Sequence, residues 1–190
     1  MALSWLGESP ITSIDDDTDR AQQLQINYVP ARDATLEAHE WTFAIERFIP
    51  AQSATPPLYG PGVAYDIPPQ ILRVIACENN DTYSATFNPK INSQEQIDWQ
   101  LEGDKIITNE DVIYCRGIRR IEQEGRFSPL FVHAFAAKLG FLLAQNITSD
   151  ANIAQNMYGM YTQFILEAKS RDGLQGRSRR IRNRTLQKSR

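Results

Sequence analysis

Residues 128–144 read SPLFVHAFAAKLGFLLA, and the fold depends on what kind of segment this is. Ser128 suits a helix N-cap, and Pro129 suits the first helical position, where its missing N–H would be unsatisfied anyway. Residues 130–144 are apolar on nearly every side. A helix that is apolar all round is buried all round, so the stretch predicts the central helix of a bundle. Ala134, Ala136, Ala137 and Gly140 let neighbours approach closely. His133 and Lys138 interrupt the run, which is also too short to cross about 30 Å of hydrocarbon at 1.5 Å per residue.

On the C-terminal side, Ser149 or Asp150 caps a further helix with a face of Ile153, Met157, Tyr161, Phe164 and Ala168, expected to end at Gly173. On the N-terminal side lies the β signal. Ile97-Asp98-Trp99-Gln100-Leu101 alternates, Glu102-Gly103-Asp104 turns, and Lys105-Ile106-Ile107-Thr108 returns, which predicts a hairpin. A strand over residues 112–116 follows it, and Ile71-Leu72-Arg73-Val74-Ile75-Ala76-Cys77 precedes it as a nearly continuous apolar strand. The polar residues 78–96 between them read as loop or weak hairpin. Six of the ten prolines fall in residues 50–69. That density predicts an extended crossing segment with neither a helix nor a central strand.

The chain opens with a helical stub over residues 1–6 stopped at Gly7. Asp15, Asp16 and Asp17 form a linker, and Asp17 or Thr18 caps a helix whose face (Ala21, Leu24, Tyr28, Ala31, Thr35, Leu36) runs past Pro30 toward Trp41 and Phe43. The sequence therefore predicts an α+β protein. Residues 1–49 and 118–172 form an antiparallel helical bundle, residues 50–117 an inserted small antiparallel β unit, and residues 173–190 an extended, flexible basic tail.

Charge sets that tail apart. Of the 20 Lys and Arg, nine lie in residues 169–190 against the single acid Asp172, a formal +8. The rest of the chain has 11 such cations against 22 acids, a formal −11 behind the overall −3. A basic end on an acidic body marks a segment that docks on something anionic. Arg177, Arg179, Arg180, Arg182, Arg184, Lys188 and Arg190 are the candidate partner-binding residues. If all nine cations met DNA phosphates, log K would fall with log salt with a slope of about −8.

No residue pattern points to catalysis. There is no GxSxG, P-loop or GxGxxG motif, and no spacing singles out one carboxylate pair for glycoside hydrolysis among 23 acids. Cys77, Cys115, His39 and His133 reach the number a structural zinc needs, but none has ligand-pair spacing. Cys77 and Cys115 read as free thiols, possible strand neighbours, in a reducing compartment. Residues 15–17 lack the alternating ligands and central Gly of a calcium loop. The N-terminus lacks the charged and long apolar regions of a signal peptide. Neither catalytic residues, metal nor cofactor is expected, and the composition reads as a soluble protein assembled in the cytoplasm.

The ordered landmarks resemble the tail tubular protein A family, the head-to-tail adaptor proteins of short-tailed bacteriophages. Ala2-Leu3-Ser4-Trp5-Leu6-Gly7 followed by Ile11, Asp15 and Ala21 is similar to the family's opening. Tyr28, Arg32, Leu36 and Trp41-Thr42-Phe43-Ala44 resemble its first long helix. Tyr65-Asp66-Ile67-Pro68-Pro69 with Leu72-Arg73-Val74 resembles its lead-in to the β unit, and Trp99, Glu102-Gly103-Asp104, Ile106-Ile107 and Tyr114 its hairpin and next strand. Phe127-Ser128-Pro129-Leu130-Phe131, residues 134–139 and Leu142-Leu143-Ala144 resemble its central helix. The resemblance spans about residues 1–170 and leaves out the Arg-rich end. It implies a virion protein of the tail neck, assembled in the host cytoplasm as a homo-oligomeric ring of twelve. Its partners would be the portal protein above and the tail nozzle below, with no membrane. DNA would pass through the lumen without specific binding. The alternative from a different class is a small nucleic-acid-binding protein that uses the Arg-rich C-terminal tail.

Overall fold

Residue order along the chain alternates helix, sheet and helix. A computed structural model describes residues 1–78, 97–148 and 150–175. Helix α1 (Ala2–Trp5) and helix α2 (Asp19–Glu37) come first. Strands β1 (Ile45–Phe48), β2 (Ala51–Gln52), β3 (Val63–Asp66), β4 (Ile71–Glu78), β5 (Trp99–Glu102), β6 (Lys105–Thr108) and β7 (Tyr114–Arg119) follow. Helices α3 (Pro129–Thr148) and α4 (Ala151–Gln175) complete the described chain. The protein is a mixed helix-and-sheet fold of the α+β class.

Helix α3 starts where its sequence predicts. The Phe131 N–H donates to the Ser128 hydroxyl, and Pro129 occupies the first turn. Phe131, Ala134, Ala137, Leu143 and Ala144 have no exposed surface, and α1, α2 and α4 all pack against α3. At 20 residues the helix is longer than the apolar run, so length and composition alone would let it cross a membrane. Half of that apolar window is buried against neighbouring elements.

Helices α3 and α4 run antiparallel. His133 meets Phe164, Lys138 sits over the Tyr161 ring, and Phe141 meets Tyr158, so one residue number rises as the other falls. At Gly140 an added Cβ would lie 3.1 Å from the Met157 sulfur, which shows how close the two backbones come. Asp150 starts α4, its carboxylate accepting from the Asn152 N–H at 2.8 Å. Ser149 lies outside the described residues, as do residues 79–96, which hold nearly all of the predicted loop or hairpin. Gly173 does not end α4, which continues to Gln175. An isolated helical Gly costs only about 1 kcal/mol, less than the neighbouring turns supply.

Helix α2 begins where Thr18 accepts from the Ala21 N–H and passes through Pro30 unbroken. It stops at Glu37, short of Trp41, because Trp41 folds the chain back. The indole N–H donates to the Thr35 carbonyl at 2.9 Å, one of the last-turn acceptors with no partner in the helix. The fully buried ring then stands edge-on to Phe131, centroids 5.2 Å apart.

Two antiparallel sheets result, ordered β1-β7-β4 and β2-β3-β6-β5. They correct three expectations. β1 lies within residues 1–49, which were read as helical. β3 is a central strand inside the Pro-rich segment, flanked by β2 and β6; Pro61 and Pro68 bracket it, and residues 63–66 contain no proline. β7 begins two residues later than read and reaches Arg119. The β5–β6 hairpin forms where predicted, but β5 starts at Trp99 and Glu102, read as part of the turn, pairs with Lys105, leaving the turn to Gly103 and Asp104.

The β1-β7-β4 sheet separates two apolar cores. Ile118, Leu72 and Ile75 join the helix-side core with Trp41 and Phe131. Ile71, Val74, Cys77 and Cys115 join a second core with Tyr65, Ile106 and Ile113. Strict alternation would not put Ile71, Val74 and Cys77 together. Register shifts between Ile71 and Arg73 and between Val74 and Ala76 bring every third residue to the same core. This is why residues 71–77 read as continuously apolar: both faces are covered.

Candidate functional site

The predicted partner-binding residues Arg177, Arg179, Arg180, Arg182, Arg184, Lys188 and Arg190 lie outside the described residues, so the structure addresses where they attach. The basic segment follows directly on α4, and Asp172 pins the end of that helix. Its carboxylate is 6% exposed and accepts from the Thr42 N–H at 3.1 and 3.2 Å and from the Thr42 hydroxyl at 2.8 Å. His39 Nε2 stands 3.4 Å away. The one acid of the basic end is thus a structural acceptor beside residues 39–42.

The other polar candidates resolve into local roles. Asp16 accepts from the N–H groups of Thr12 and Ser13, both at 3.0 Å, and Asp17 from Gln22, so the acidic run closes a turn before α2. His133 packs between Trp5 and Phe164. Cys77 and Cys115 are directly opposite in the β4–β7 ladder, their sulfurs 2.9 Å apart and buried. The contact with Cys77, aided by burial, pushes the Cys115 thiol up, so it stays protonated and unreactive. Among the described residues, no three His, Cys, Asp or Glu side chains gather where a metal could sit.

Three features were not read from the sequence. Arg119, Arg120 and Arg126 line a cleft of about 390 Å³ with Gln70 and Gln123. Two of these cations are already engaged: Arg119 with Glu46 at 3.0 Å and Arg120 with Asp33 at 2.8 Å. Asp33 also accepts from the buried Arg32, which ties α2 to the end of β7. Nearby, Tyr28 donates to Glu124; burial, reinforced by that carboxylate, pushes its phenol up.

The second feature is apolar. Leu58 and Tyr59 are 98% and 90% exposed at the tip of the β2–β3 loop, between Pro57 and Gly60. The third is a cavity of about 310 Å³ edged by Ile67, Pro68, Leu72, Val74 and Leu101. The cavity depends on tertiary packing and leaves no local pattern. The chain matches no protein-family model and no curated protein.

Proposed function

We propose that this chain is a virion structural protein, the head-to-tail adaptor that joins the capsid portal to the tail as a homo-oligomeric ring in the neck. In this reading α1, α2, α3 and α4 supply the helical bundle, strands β1 to β7 the β unit set between α2 and α3, and the Arg-rich segment after α4 the basic tail. The observation that carries it is the ordered set of landmarks over residues 1–170, combined with a fold in which helices from both ends of the chain pack on one buried helix around an intervening pair of sheets. The ring conducts DNA without chemistry: the acidic body repels the duplex, and the Arg-rich tail forks onto carboxylates of the portal. Twelve copies, a nozzle below and assembly in the host cytoplasm follow from the same resemblance.

Imaging intact particles tests this reading directly. Density for the chain at the neck is expected, and its absence from mature particles overturns the proposal. Deleting residues 174–190 is expected to abolish attachment to the portal; attachment that survives the deletion removes the docking role of the tail. The alternative, a small nucleic-acid-binding protein, draws on one observation, the Arg-rich C-terminal end of the sequence. It predicts DNA retention by a small species that falls steeply with salt, whereas the adaptor predicts weak retention at moderate salt.

A further inference from the structure

Cys77 and Cys115 meet at one end of the dividing β1-β7-β4 sheet. Cys77 is the last residue but one of β4 and Cys115 the second of β7. Among the described residues only the Glu78–Tyr114 pair lies beyond them in the ladder. The register sets the two cysteines directly opposite each other. Opposed residues of an antiparallel ladder have Cα atoms about 4.5–5.5 Å apart, within the span that a disulfide bridges. Both side chains are buried in the core with Tyr65, Ile106 and Ile113, and the Cys115 S–H donates to the Cys77 sulfur at 2.9 Å. An S–S bond is about 2.05 Å long, so the sulfurs need to approach by only about 0.9 Å. Among the described residues no third His, Cys, Asp or Glu joins them, so the pair has the make-up of a dithiol and not of a metal site.

We infer that Cys77 and Cys115 are an oxidation-closed staple: a hydroperoxide converts the two thiols into one disulfide that ties β4 to β7. The inference is independent of the adaptor reading. Local opening of the sheet end, with both cores still folded, admits a small oxidant. The hydrogen bond to Cys77, aided by burial, holds the Cys115 thiol protonated, so Cys77 starts the reaction. Its sulfur attacks the peroxide as a thiolate, its proton passing to water. The O–O bond breaks, an S–O bond forms, and the peroxide leaves as water or an alcohol, giving a sulfenic acid on Cys77. The Cys115 sulfur then displaces the hydroxyl: the S–S bond forms, the S–O bond breaks, and the Cys115 proton leaves with the hydroxyl as water. The two thiols lose two electrons and the peroxide gains them. The new bond joins residues 38 positions apart and encloses β5 and β6, so it restricts the unfolded chain across both sheets. Thiol reductants such as glutathione reopen it, which leaves the chain unstapled in a reducing compartment.

The test uses the full wild-type chain, purified reduced and treated with hydrogen peroxide while folded, as circular dichroism checks. Free thiols counted after denaturation are expected to fall from two to none. The intact mass is expected to fall by about 2 Da as two hydrogens leave, with no link between chains on a non-reducing gel. The melting midpoint is expected to rise by about 5–15 °C and to return when dithiothreitol is added. Cys115→Ser, which keeps the initiating sulfur, is expected to gain oxygen mass faster than Cys77→Ser, and neither variant to gain stability on oxidation. Two thiols that persist in the folded chain, at a dose that oxidises the denatured chain, overturn the inference. So does a wild-type mass that rises by oxygen atoms, a bond between chains, or a midpoint that falls on oxidation.

Discussion

The helix-side core and the inter-sheet core sit on either side of one sheet, and they are built on different principles. The helix side is aromatic: Trp41, Phe43, Phe127, Phe131 and Phe135 meet ring to ring, with centroids between 4.8 and 6.4 Å. On the sheet side the buried residues are branched aliphatics and two thiols around Tyr65, with Phe48 and Trp99 only partly buried at the margin. Large rings tolerate little truncation, and their edge-to-face pairs add stability beyond the area they bury. Branched side chains on a pleated surface are more interchangeable, and there the backbone itself is the tight element. At Gly117, in the middle strand of the dividing sheet, any Cβ would come within 2.7 Å of Ile71 and 2.8 Å of the Arg73 carbonyl oxygen.

The contrast is broken or sharpened by four measurements. Trp41→Ala should lose the most, about 3–5 kcal/mol in chemical denaturation, from the emptied ring volume and the stranded Thr35 carbonyl. A cost below that of Ile113→Ala, the fully buried residue of the sheet-side core, would remove the distinction between the two cores. Gly117→Ala should cost about 1–3 kcal/mol by overpacking, while Ala44→Gly at the start of the same sheet should show a smaller propensity loss. Asp172→Ala should cost about 1–3 kcal/mol by orphaning the Thr42 N–H, and should raise hydrogen exchange at Thr42 before any sheet amide. The smallest effect is a pH dependence. Burial raises the Tyr28 phenol above its ordinary value, so its contribution is complete below the unfolded tyrosine pKa of about 10 and declines as pH rises beyond it. Tyr28→Phe should flatten that alkaline decline, and an unchanged slope would assign it to other groups.

The same contrast explains what could be read from the sequence. α3 was legible because its apolarity is continuous over four turns and its cap is local: Ser128 and Pro129 adjoin the segment they start. The β5–β6 hairpin was legible because both strands and their turn are contiguous. β1 and β3 were not. Four residues carry little periodicity, and their partners, β7 and β6, lie far along the chain. Proline count misled at residues 50–69, since the position of each proline relative to the ladder mattered and the number did not. The end of α2 was hidden for a related reason. Trp41 continues the apolar pattern in sequence while turning the backbone in space, and only the hydrogen bond to Thr35 distinguishes the two. Of the candidate site, the charge of the basic end was plain, whereas the pinning role of Asp172 depends on Thr42, 130 residues away.

That separation has a consequence for how the protein is made. A ribosome delivers α2 and Trp41 well ahead of Phe131, and at about 5–20 residues per second the interval is roughly 5–20 s. Throughout it the indole has no ring to meet, and the apolar stripe of α2 faces water or whatever shields nascent chains. Folding of the helical layer waits for the α3–α4 hairpin to emerge, so the Trp41 region closes only late in synthesis, once Phe131 and Asp172 have been made.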